Sequence, residues 1–309
     1  MASQPLTPHD LSILEKIKDP EASSPPRLLL DDSLARDPNI PDPSLYSQLT
    51  TREHTILSSL QQAELQIAGL EPASPDPDSP LQQYRASVRH LGALIATHPN
   101  YASARNNRAQ ALRRLYGNLL LVRSFSASAS PSPSPSCLSA PGTPPPADRR
   151  AAASPPALDP APSEATLLSA SATVLSDLDT AIALLAPRTP ATPLSPQAAR
   201  TLAQAYTQRG ALYHFTAKAL SAAAATPPDR AELRIPAGRR ESRWGPVEFE
   251  EAASSDFVLG GRCGSEVAKA LAVAANPTAK LCGEIVRGAM RKEFAGTGAG
   301  AGAGASEKK

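Results

Sequence analysis

The side chains in this chain best suited to chemistry are hydrogen-bond donors, and they cluster. Arg105, Asn107 and Arg108 lie side by side, Arg113 and Arg114 follow shortly after, and Arg85 and Arg89 stand upstream. Guanidinium and amide N–H groups are what proteins use to hold carboxylates, because charge-assisted hydrogen bonds are short and strong. Arg105 and Arg108 are read as candidate contacts for acidic segments of a partner, with a solvated helix face as the alternative. Solvation is the reading for Arg113 and Arg114, since charge runs are usually solvated faces. Gln204 and Gln208 add amides in a later stretch of similar pattern. Nothing comparable points to catalysis. The five His are scattered, and Cys137, Cys263 and Cys282 form neither a CxxC nor a metal-ligand spacing. GGRCG at 260–264 lacks the preceding strand a phosphate loop needs. The tract RRESRWG around Trp244 is a single basic run with one aromatic, and reads as a mobile loop, not an RNA contact. The expectation is a chain with no catalytic residues, no cofactor and no metal.

These donors need elements to position them. The chain has 309 residues, of which 33 are Pro and 17 Gly, with 41% hydrophobic and 4% aromatic side chains. That composition suits helices packed through small side chains, not a β-sandwich or barrel. A formal charge of +2 gives no global pull toward nucleic acid or membrane. MASQPLTPHD lacks a secretory pattern, and unpaired cysteines suit a reducing compartment. A cytoplasmic protein is expected, with the nucleus also open, acting as a monomer.

Residues 1–43 read as an irregular lead-in, with a short helix at Asp10 to Lys18 and a Leu28-Leu29-Leu30 triplet packed against the first hairpin. Helical periodicity then governs residues 44–294. The predicted helices are Ser44 to Gly69, Leu81 to Thr97, Tyr101 to Gly117, Glu164 to Pro187, Pro196 to Ala225 and Val247 to Leu259. The last of these breaks at Gly260-Gly261. Two more, Ser265 to Ala275 and one from Asn276-Pro277 to Phe294, cover the end. The Pro-rich tracts 124–163 and 226–246 read as disordered inserts, and 295–309 as a flexible Gly/Ala tail.

An internal repeat is visible within this pattern. Gln208-Arg209-Gly210-Ala211-Leu212-Tyr213 repeats the logic of Asn107-Arg108-Ala109-Gln110-Ala111-Leu112. Small Gly210 corresponds to Ala109, and Tyr213 to Leu112, at positions where a neighbouring helix comes close. The expected fold is therefore all-α: a tetratricopeptide (TPR) solenoid of three helical hairpins with C-terminal capping helices and disordered inserts.

The runs NNRAQALR, QRGALYHF and FEEAA, with Asn276-Pro277 and Leu281-Cys282, make the chain resemble the tetratricopeptide repeat protein 36 family from about residue 44 to 294. The inserts and tail fall outside the likeness. The resemblance implies a non-catalytic adaptor acting through protein contacts, with Hsp70-type chaperones or a metabolic enzyme of tyrosine breakdown as partners. In chaperone-adaptor TPR domains, Lys, Asn and Arg hold the terminal carboxylates of a peptide. Asn107 matches that pattern. Ser59, Ala63, Gln204 and Gln208 stand where its other members would be, so the standard clamp is not expected. A chaperone co-factor using another route, and an enzyme with an unrecognised site, are the alternatives. On this reading, reversing the charges of Arg105 and Arg108 weakens partner binding without unfolding the stack.

Overall fold

The computed structural model describes residues 28–72, 79–125, 157–189, 192–225, 230–276, 285–288 and 290–291. The Asp10 to Lys18 helix, Cys137, Cys282 and the Gly/Ala tail lie outside them, as does most of the predicted terminal helix.

Helix α1 (Pro43–Ile67) starts with Pro in its first turn and with the Asp42 carboxylate accepting from the Ser44 N–H, which satisfies an otherwise orphaned donor. Gly69, at φ +70°, turns the chain out of it. Helices α2 (Ser79–Thr97) and α3 (Ala102–Tyr116) follow, the latter stopped by Gly117 at φ +86°. Ser163 caps α4 (Glu164–Leu185) by accepting from the Thr166 N–H, and the Ser195 hydroxyl accepts from the Ala198 N–H at the start of α5 (Pro196–Ala225). Helices α6 (Pro246–Arg262) and α7 (Glu266–Ala275) complete the array.

Each helix packs on the next one in the chain, and α3 also touches α5, as α5 touches α7. The molecule is thus mostly helical, with odd-numbered helices neighbouring one another. Its main core joins Ala109 and Leu112 of α3, Val174, Leu175, Leu178 and Ala181 of α4, Leu202 and Tyr213 of α5, and Phe249 and Phe257 of α6. By length and composition α4 is apolar enough to cross a membrane. Here it is a core helix, buried against α3 and α5. At Gly210 an added Cβ would stand 3.1 Å from two Phe257 ring carbons and 3.2 Å from the Ala253 carbonyl, so α5 and α6 approach closely there.

The structure corrects several expectations. The helical fold carries a short ribbon that was not expected: β1 (Val122–Phe125) pairs antiparallel with β2 (Arg230–Leu233), Val122 opposite Leu233. Strand β2 lies within a tract read as disordered, and β1 runs into the start of the other. In the second tract, a 3-10 turn (Arg240–Arg243) follows. Trp244 then packs edge-on against Phe249 and Tyr213, at ring separations of 5.2 and 5.6 Å. The Arg239 guanidinium meets Asp179 and Glu241. Composition suggested a mobile loop, but the aromatic anchor, Asp179 on α4 and Glu241 within the turn itself order it. At the end of the first tract, the Asp159 N–H donates to the Leu115 carbonyl (3.0 Å) and its carboxylate accepts from Arg85 (2.7 Å). Gly260 and Gly261 do not break α6 but lie within it. An added Cβ at Gly260 would meet Ala268 at 3.2 Å, and one at Gly261 would meet Lys269 at 2.7 Å, so these glycines let α7 fold back closely. The turn itself falls at Gly264, with φ +103°.

The lead-in also takes a different course. Leu30 bridges Leu194 in the connection between α4 and α5, and Asn39 donates to the Leu184 carbonyl (3.0 Å). Leu29 and Leu30 remain more than half exposed, while Leu28 packs on the main core. Ile40 then joins Leu49, Leu91 and Leu94 of the first two helices. The lead-in therefore straps the first hairpin to the α4–α5 corner.

Candidate functional site: a groove across alternate helices

Three helices present the same register to one side. Leu57, Leu60, Gln61 and Glu64 on α1, Asn107, Gln110, Ala111 and Arg114 on α3, and Arg200, Ala203, Gln204 and Thr207 on α5 all line one groove of about 840 Å³. In each set the residues follow at three, four and seven steps, the spacing that keeps side chains on one helix face. Cys263, Gly264, Ser265 and Val267 close the far end.

The floor is a hydrogen-bond lattice tying one helix to the next. Glu53 on α1 is 5% exposed. It accepts from the Tyr101 hydroxyl, from Ser103 (3.0 Å) and from the Asn107 amide (2.8 Å). Burial, together with the Glu53 charge, pushes the Tyr101 hydroxyl well above its ordinary range. Glu64 takes Arg114 (2.7 Å) and the Tyr84 hydroxyl. Burial works to raise the Glu64 carboxyl, but these donors outweigh it and hold it below the usual range. Between α3 and α5, Asn106 donates to Gln204 (3.1 Å) and accepts from Gln208 (2.8 Å).

Asn107, Gln204 and Gln208 therefore line the groove, but each also serves a bond between helices. Arg105 and Arg108 do not line it. Both reach Asp177 on α4, Arg105 at 3.1 Å and Arg108 through a fork at 2.6 and 2.7 Å. Asp177 is 1% exposed. The basic partner surface expected at these two residues is instead an ion cluster joining α3 to α4. The same device recurs one hairpin later: Arg209 forks onto Asp256 of α6 with two 2.8 Å bonds and adds Asp179 at 2.7 Å. Since Arg209 aligns with Arg108, the same Arg-to-Asp fork joins α3 to α4 and α5 to α6.

Arg113, expected to be solvated, lines the groove and is largely buried. Its Nη2 donates to Asn118 Oδ1 at 2.7 Å. Nη1 reaches Gln208 only at 3.4 and 3.5 Å, and Nε has no hydrogen-bond partner among the described residues. Burial pushes this guanidinium down to about 10. Sequence reasoning missed Glu53 and Asp177 as well, though a signal existed. Glu53 sits four residues from both Leu49 and Leu57, and Asp177 between Val174 and Ala181, so each acid interrupts an apolar stripe at helical spacing. Arg113 carries no such mark.

A chain with these features is an α-helical array with an open polar groove along one layer and no cluster of metal-ligating side chains among the described residues. No family model matches it and no solved structure matches it. It is 33% identical over 293 residues to the L-tyrosine degradation gene cluster protein hmgX of Aspergillus fumigatus (strain ATCC MYA-4609 / CBS 101355 / FGSC A1100 / Af293), covering 94% of each chain. The chain belongs to the family of that protein.

Proposed function

We propose that this protein is a non-catalytic scaffold of the TPR class. In this reading it acts in tyrosine breakdown by docking a metabolic enzyme in the groove across α1, α3 and α5. The observation that carries it is the common register of the groove-lining residues on three alternate helices. That arrangement is what a stack of helical hairpins produces, and such stacks use extended concave surfaces for binding. The repeated Arg-to-Asp forks of Arg108 and Arg209 support the same repeat, and so does the resemblance to the tetratricopeptide repeat protein 36 family. The relative's name supplies the metabolic setting.

The test is affinity purification of the full chain with mass spectrometry, beside a Gln110→Glu/Arg200→Glu variant. Both positions are exposed groove residues whose side chains make no hydrogen bond or ion pair among the described residues. An enzyme of tyrosine breakdown should co-purify with the unaltered chain and be lost from the variant. Equal recovery from both would refute the groove as the docking surface. Hsp70-type chaperones would be seen in the same experiment.

A further inference from the structure

The groove holds a positive charge that the fold itself does not use. Three arginines line it, Arg113, Arg114 and Arg200, against one carboxylate, Glu64. Glu64 is committed to Arg114 and Tyr84, and Arg200 is exposed to solvent. Arg113 is different. It is largely but not fully buried, every acceptor it reaches among the described residues is a neutral amide, and no carboxylate among them forms an ion pair with it. The two Gln208 contacts stand at the outer limit of a hydrogen bond, and the buried Nε has none among the described residues. Elsewhere guanidiniums of similar burial have carboxylate partners: Arg108 and Arg209 each fork onto one, and Arg239 meets Asp179 and Glu241. A desolvated cation without a counter-charge is costly in the free protein, and burial accordingly pushes Arg113 down to about 10.

We propose that Arg113 is the recognition residue of the groove, holding an internal Asp or Glu side chain of a docked partner segment. The proposal rests on the groove reading above and names what the groove selects. A carboxylate reaching Arg113 would replace the two long Gln208 contacts with a charge-assisted pair. Leu57 and Leu60 on one bank and the exposed Val267 on the other offer apolar surface for flanking side chains. The segment is therefore acidic at one position and apolar beside it. A single buried cation matches a carboxylate rather than a doubly charged phosphate, because the second nearby guanidinium, Arg114, is already neutralised by Glu64. Position in the chain also matters. Arg113 lies six residues beyond Asn107 and is not itself a position of the terminal-carboxylate clamp, so no free C-terminus is required.

Isothermal titration of the full chain with terminally blocked peptides tests this. The peptides carry one Asp, Asn or phosphoserine among leucines and alanines, and the Asp peptide is also made with a free C-terminus. The Asp peptide should bind about tenfold tighter than the Asn peptide, with or without a free C-terminus. Arg113→Met should abolish that preference. It should also melt at or above the unaltered chain, because it removes a buried charge that has no counter-ion. Equal binding of Asp and Asn peptides, preference for phosphoserine, dependence on a free C-terminus, or an Arg113→Met variant that melts well below the unaltered chain would each overturn the proposal. Charge-independent peptide binding would leave the groove standing as a docking surface and remove only its acidic selectivity.

Discussion

Removing the Asp177 carboxylate should damage this fold more than removing either arginine that holds it. Asp177 is 1% exposed, and Arg105 and Arg108 are 14% and 20% exposed, so solvent can replace little of what the carboxylate supplies. Asp177→Ala leaves two desolvated guanidiniums facing an apolar wall. Breaking a buried pair by deleting one partner costs about 3–5 kcal/mol. Arg105 keeps a bond from its Nε to the Pro99 carbonyl at 2.9 Å, which places the estimate near the lower end, about 3 kcal/mol. For a domain of this size each kcal/mol moves Tm by about 2–4 °C, so the expected loss is about 6–12 °C by differential scanning calorimetry. Arg105→Ala, which leaves the Arg108 fork in place, should cost about 1 kcal/mol. A triple variant, Arg105→Met/Arg108→Met/Asp177→Leu, should recover most of the loss, because apolar replacement of a whole buried ion cluster is often neutral. Asp256→Ala should cost less than Asp177→Ala, since Arg209 retains Asp179 at 2.7 Å. An Asp177→Ala variant melting within about 2 °C of the unaltered chain would refute the assignment of this cluster to stability. The same reasoning reverses the sequence-based expectation for Arg105→Glu/Arg108→Glu, which would set two carboxylates against a buried third and unfold the α3–α4 contact.

Two further expectations concern close packing and burial. Gly210→Leu drives a side chain into Phe257, whose ring already stands 3.1 Å from where a Cβ would lie. It should cost about 1–3 kcal/mol, whereas Gly210→Ala sets the same contact against about 1 kcal/mol of helix propensity and should melt near the unaltered chain. Leu and Ala variants of equal stability would contradict the α5–α6 approach. Burial, opposed by the nearby Arg262, pushes the Cys263 thiol up to about 11. With Cys137 and Cys282 replaced by Ser, alkylation of Cys263 at pH 8 should run roughly a hundredfold slower than in the unfolded chain, rising with pH toward 11. A rate matching the unfolded chain would show the thiol to be open.

Much of the helical order was legible because its signals are local. Pro196 and Ser195 opened α5, Gly117 closed α3, and the apolar steps of Leu49, Ile56 and Leu60 ran with helical period. Equivalence of Gly210 with Ala109 was also visible, since both sit in matching runs and both are packed. What escaped depended on partners far along the chain. Strand β2 has no stable existence without β1, more than a hundred residues earlier, and Trp244 in its Arg-rich tract carries no sign of the aromatic neighbours that hold it. Arg105 and Arg108 looked like surface because a guanidinium does not announce its counter-ion, and Asp177 lies 69 residues beyond Arg108. Gly260-Gly261 read as a break because glycine lowers helix propensity, while the close approach of α7 is a tertiary fact. Arg113 was the least legible, because its significance is that no carboxylate among the described residues pairs with it.

The measurement closest to the central claim is site-specific photo-crosslinking from within the groove. A photoreactive residue at Gln110, exposed on the groove side of α3, is compared with one at Ser169, exposed on α4 and outside the groove. The account predicts that an enzyme of tyrosine breakdown is captured from Gln110 and not from Ser169, and that Arg113→Met suppresses the capture. Capture from Ser169 with none from Gln110 would place the partner on the other face and contradict the account.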